Sequence, residues 1–69
     1  MKLSARNILR GKITAIHKGP ISALVTIQIA PKVEITASIT SNAVKELKLK
    51  KDGVAYAVIK ASSVLVGIE

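Results

Sequence analysis

Hydrophobic and polar positions alternate along most of this chain. From Leu9 to His17 the residues Leu9, Gly11, Ile13 and Ala15 oppose Arg10, Lys12 and Thr14, and only Ile16 breaks the order; a period of two marks a strand with one buried face. Lys18-Gly19-Pro20 supplies a turn. Beyond it Ile21, Ala23, Val25, Ile27 and Ile29 share one face and Ser22, Leu24, Thr26 and Gln28 the other, so the two runs predict a hairpin. A break at Ala30-Pro31-Lys32 leads into Val33, Ile35, Ala37 and Ile39, set against Lys32, Glu34, Thr36 and Ser38. That third strand extends the hairpin to a meander.

The period then changes. Thr40-Ser41-Asn42 offers N-cap side chains, and Ala43, Val44 and Leu47 recur at helical spacing, predicting one short helix. Lys50-Lys51-Asp52-Gly53 reads as a turn. Two further strands are expected, VAYAVIK at 54–60 and VLVGIE at 64–69, joined by Ala61-Ser62-Ser63. These last runs are apolar on both faces, with Val54, Tyr56 and Val58 alternating with Ala55, Ala57 and Ile59. A strand with no polar face is covered on both sides, and in a chain of 69 residues the second cover is another subunit. Five strands with a helix between the third and fourth predict a mostly β, single-domain fold over residues 1–69, a five-stranded OB-type Greek-key barrel. That barrel serves oligonucleotide, oligosaccharide and small-ligand binders alike, so it names no function by itself.

Composition narrows the choice. Hydrophobic residues make up 49% of the chain, but Tyr56 is its one aromatic, so the core is Ile, Val, Leu and Ala. There is no cysteine, and the lone His17 cannot build a zinc site within one chain. Domains this small usually need a staple; with disulfide and metal excluded, oligomerisation is the route left. No apolar run is long enough to span a bilayer or to serve as a signal segment, and a cytoplasmic location is expected. The acids number four and are scattered, and no nucleophile, base and acid stand at suggestive spacing, so the expectation is a binding protein and not an enzyme.

The net charge of +7 makes anions the natural partners. Phosphate contacts would suit nucleic acid, and an OB-type nucleic-acid binder is the alternative reading, although one aromatic provides no base-stacking platform. Small oxyanions are the other class. Parts for an oxyanion site occur in three places. If SARN at 4–7 is extended, Ser4 and Arg6 project from one face, pairing a hydroxyl with a permanently charged fork of donors. Thr40-Ser41 opens the helix, where free N–H groups favour anions. Lys60-Ala61-Ser62-Ser63 ends a strand with an ammonium group and two hydroxyls. Each also has a plainer reading: Arg6 as one more surface cation, Thr40 or Ser41 as a helix cap, and Ser62-Ser63 as a tight turn. His17 likewise reads as a strand-end residue beside a turn, or as part of a site on a subunit axis.

One set of short motifs is shared with a known family: SARN at 4–7, GKI at 11–13, KG at 18–19, IT at 39–40, AVKEL at 43–47 and VIKA at 58–61. On these the chain resembles, over nearly its whole length, the molbindins, small molybdate-binding proteins built from a single Mop domain and related to the TOBE domains of molybdate transport and regulatory proteins. The resemblance implies a hexamer, a trimer of dimers, that holds molybdate or tungstate at subunit interfaces for storage and homeostasis in the cytoplasm, with molybdenum bound as the oxyanion and not coordinated by side chains. It maps the main oxyanion pocket onto Ser4, Ala5, Arg6, Thr40, Lys60 and Ala61, with Ser62 beside them. A second family site, near the threefold axis, falls on the turn His17-Lys18-Gly19-Pro20. The chain departs from some relatives at Ala43, where they carry serine, with Ser41 or Asn42 as the nearby substitutes. A pterin-carrying role, an older idea for the family, ranks below molybdate, because a single aromatic leaves little to stack against a pterin ring.

Overall fold

The computed structural model describes residues 4–69, so the first three residues of the expected domain lie outside it. Its elements are β1 (Asn7–Lys18), β2 (Ser22–Ala30), β3 (Val33–Thr40), α1 (Ser41–Glu46) and β4 (Val54–Ile59), followed by a single 3-10 turn, Ala61–Ser63. The four strands form one antiparallel sheet in the order β3-β2-β1-β4. β1 is long enough to serve two partners. Residues Asn7 to Lys12 pair with β4, and Lys12 to Lys18 pair with β2. Splitting one strand between two neighbours in this way curls the sheet towards a barrel.

The alternation places the core as expected. Ile13, Ala23, Val25, Ile27, Val44 and Ala57 are buried, and Leu9, Ile16, Ile35 and Ile39 pack against them. The irregularity at Ile16 is a β-bulge: Ile13 opposes Ile27, but Ala15 opposes Thr26 and Ile16 opposes Val25. One extra residue resets the phase, so that Ile13 and Ile16 can both face inward. Gly11 marks the tightest crossing of the sheet. A Cβ there would sit 2.5 Å from the Gln28 carbonyl oxygen, inside any tolerable contact.

The helix is tied to the β1–β2 turn. Ser41 N–H donates to the Ile21 carbonyl at 2.8 Å, and the buried Ser41 hydroxyl donates to the Gly19 carbonyl at 2.6 Å. Ser41→Ala removes the second bond and strands a shielded carbonyl, a loss of about 1–2 kcal/mol. At fixed protein concentration its thermal midpoint, followed by circular dichroism, should fall by roughly 4–8 °C for each kcal/mol lost.

The sheet corrects one expectation. It has four strands, and VLVGIE is not a fifth: Val64–Glu69 pairs with nothing among the described residues, and Leu65, Val66 and Ile68 are 93%, 93% and 96% exposed. The pattern of residues fits a strand, but a strand forms only where an edge is offered, and the turn at Ala61–Ser63 leads this segment away from its own sheet. The open side of the curled sheet lies between the free edges of β3 and β4. An apolar cleft of about 430 Å³ opens there, lined by residues that include Val25, Ile27, Ala37, Ile39, Tyr56 and Val58. The outer side of β4 is bare as well, with Val54, Tyr56 and Val58 exposed beside Ile8 of β1.

Candidate functional site

The residues expected at the oxyanion pocket fall at the two ends of β1. At the first end, the β1–β4 ladder closes with Asn7 opposite Ile59, and the Asn7 side-chain amide donates to the Ile59 carbonyl at 3.4 Å. Arg6 and Lys60 follow directly on these two strands, whose backbones run about 5 Å apart. Ser4 and Arg6 are exposed and Ala5 between them is half-buried, which matches the alternation expected of SARN. Lys60 N-caps the 3-10 turn. Within the turn Ser63 N–H donates to the Lys60 carbonyl at 2.9 Å and Val64 N–H to the Ala61 carbonyl at 3.3 Å, while the N–H groups of Ala61 and Ser62 have no partner among the described residues. Those are the free donors of a turn's start.

The electrostatics at this end favour an anion. Among the described residues the one ion pair joins Lys12 to Asp52 at 3.9 Å, so neither Arg6 nor Lys60 is matched by a carboxylate. The guanidinium, the ammonium, the Ser4 and Ser62 hydroxyls and two N–H groups together offer directed donors with two positive charges.

Thr40 stands at the other end. It pairs with Ser22, next to the place where β1 finishes at Lys18 opposite Ala23. Twelve residues of β1 separate it from Arg6, on the order of 30 Å or more at strand rise. One copy of the chain therefore cannot bring Thr40 and Arg6 to a single ion. Thr40 is nonetheless prepared to donate: its Oγ1 accepts from Ala43 N–H at 3.0 Å, leaving the hydroxyl proton free to point outward. The substitutes for Ala43 are committed elsewhere. Ser41 gives its proton to Gly19, and Asn42 donates from Nδ2 to Glu46 Oε1 at 3.0 Å.

Beside Thr40 lies a shallow cavity of about 330 Å³ lined by Lys18, Gly19, Pro20, Ser41, Asn42 and Lys45. It gathers three of the four residues expected at a second site. His17 is not part of the lining; it sits within the ladder opposite Leu24. Lys45 was not singled out from the sequence, because nothing local distinguishes it from the neighbouring helix and turn lysines. Only the fold of α1 back onto the β1–β2 turn sets it across from Lys18.

Residues 3–66 match the TOBE domain. The chain belongs to the TOBE family. Within it, this single-domain protein is of the Mop type. It is 46% identical over its full length, and the full length of the relative, to a probable molybdenum-pterin-binding protein of Haemophilus influenzae. It is 41% identical to molybdenum-pterin-binding protein 1 of Clostridium pasteurianum, over 96% of this chain and 97% of that one. The TOBE fold seen here superimposes on MopII from C. pasteurianum with a TM-score of 0.90 at 36% identity, covering 97% of this chain and all of that one. It matches the cytoplasmic molybdate-binding protein ModG, in a form with molybdate bound, with a TM-score of 0.94 at 46% identity; all of this TOBE domain aligns with 49% of the ModG chain. These relatives are named as binding proteins, not enzymes.

Proposed function

We propose that this protein binds molybdate, with tungstate as the close analogue, and stores it in the cytoplasm without catalysis. The observation that carries the reading is the end of the β1–β4 ladder, where Arg6 and Lys60 sit on adjacent strands with no carboxylate partner among the described residues and with unbonded N–H groups at Ala61 and Ser62. A tetrahedral dianion asks for about two positive charges and several directed donors, and charge-assisted bonds carry most of the energy. Ser4, Ala5, Arg6, Lys60, Ala61 and Ser62 form this pocket. Support comes from relatives named for molybdenum and from the molybdate-bound ModG neighbour. Several relatives carry pterin in their names; with Tyr56 as its one aromatic, this chain is read as a holder of the oxyanion itself.

Thr40 joins the pocket from another copy, since its own chain holds it at the far end of β1. That requirement, the exposed apolar Val64–Glu69 segment and the bare outer side of β4 support a homo-oligomer, which we take to be a hexamer built as a trimer of dimers. The cavity at Lys18, Gly19 and Pro20, with Lys45 opposite, is the second oxyanion site of the assembly. The nucleic-acid alternative has the net charge of +7 in its favour and no stacking surface to accompany it. Titration calorimetry with sodium molybdate, repeated in excess sulfate, tests the function: binding of at least one ion per chain that survives sulfate is expected, and absence of heat from a clean oligomer would sink it.

A further inference from the structure

We propose, building on the oxyanion reading of that pocket, that the ion held at Lys60, Ala61 and Ser62 locks the Val64–Glu69 tail into the β3–β4 cleft of a second copy, so that loading with molybdate slows the trading of subunits. The occupant of the cleft is argued from the chain itself. The tail alternates Val64, Val66 and Ile68 with Leu65, Gly67 and Glu69, giving one wholly apolar face. Its six residues span roughly 20 Å when extended, enough to lie along most of the eight-residue β3. The cleft offers two unpaired strand edges and an apolar floor, and a strand laid there completes the sheet. The tail's own molecule does not receive it. Val64 leaves the turn extended, at φ −92° and ψ 125°, and the residues beyond stand almost fully in solvent. A second copy carries both the matching cleft and the matching tail, which makes the exchange reciprocal.

The lock follows from where the pocket lies. Lys60, Ala61 and Ser62 are the root of the tail, and Ser4 and Arg6 belong to the start of β1. For a tail to leave a partner's cleft, the turn at Ala61–Ser63 must swing relative to β1. An ion bonded to both sides resists that swing. Exchange then runs through the ligand-free form, and its rate falls by the factor one plus the ligand concentration over its dissociation constant, by the same mass action that stabilises any state to which a ligand binds preferentially.

The experiment mixes full-length unlabelled and nitrogen-15-labelled protein and follows mixed oligomers by native mass spectrometry, in molybdate and in chloride of matched ionic strength. With molybdate at 100 times its dissociation constant, mixing should slow about 100-fold, and Lys60→Ala should mix at one rate in both solutions. Equal mixing rates in protein that calorimetry shows to be loaded would overturn the lock while leaving the binding reading intact. A chain that is monomeric at all concentrations would overturn it too. No calorimetric binding at all would remove the binding reading and the lock together.

Discussion

Arg6→Ala and Lys60→Ala should each weaken molybdate binding by at least about tenfold, while the far-ultraviolet circular dichroism of the protein stays unchanged. Both side chains are exposed and neither has a carboxylate partner among the described residues, so neither holds the sheet together. Their charges have little structural work to lose. A hydrogen bond to a charged group is worth about 1.5–3 kcal/mol, and about 1.4 kcal/mol is a factor of ten in affinity; either substitution alone therefore crosses the tenfold line. Arg6→Lys should fall in between, because a lysine keeps the charge but loses the planar fork that can engage two oxygens at once. Calorimetry on the three variants checks this order. Wild-type affinity in both alanine variants would show that the ion is not held at this end of β1.

The second large effect is on assembly. Val66→Asp combined with Ile68→Asp should convert the oligomer to monomer in light scattering at micromolar concentration. Burying a Val or Ile side chain yields about 1.5–3 kcal/mol, so two of them contribute about 3 kcal/mol or more per tail, upwards of a hundredfold in association. The core of the single chain should survive, because the buried residues Ile13, Ala23, Val25, Ile27, Val44 and Ala57 all precede the tail and none packs against it. An unchanged oligomer would place the subunit interface elsewhere, on the exposed outer side of β4.

Where the sequence was legible, the reason was local. Three strands of the meander, the capping role of Thr40 and the inward set Ala23, Val25 and Ile27 all follow from a period of two and from turn residues that act within a few positions. β1 and the helix were also visible, though β1 begins at Asn7, two residues before the expected start at Leu9, because its first residues pair with β4, which lies far along the sequence. The apolar faces of 54–59 correctly implied a missing cover, and the exposure of Val54, Tyr56 and Val58 is that missing cover seen in three dimensions.

What was not legible depends on partners. The tail satisfies every local condition for a strand, yet strand formation needs an edge that its own chain does not present to it. The same limit applies to the pocket. Ser4, Arg6, Lys60, Ala61 and Ser62 were each visible as donors, but their meeting depends on the antiparallel register that sets Asn7 against Ile59. Thr40 could be grouped with them only by family resemblance, and β1 then separates it from them by its full length. Ser41 shows the opposite case. It looked like a spare donor for an ion and proves to be a buried tie to Gly19, a distinction that only the packing of α1 on the β1–β2 turn could draw.

The most direct measurement is an anomalous difference map at the molybdenum absorption edge from crystals grown with molybdate. The account predicts a peak within hydrogen-bonding distance of the Arg6 guanidinium and the Lys60 ammonium, with Thr40 of a different copy completing the shell. Peaks found only between Lys18 and Lys45, or none at all, would contradict it.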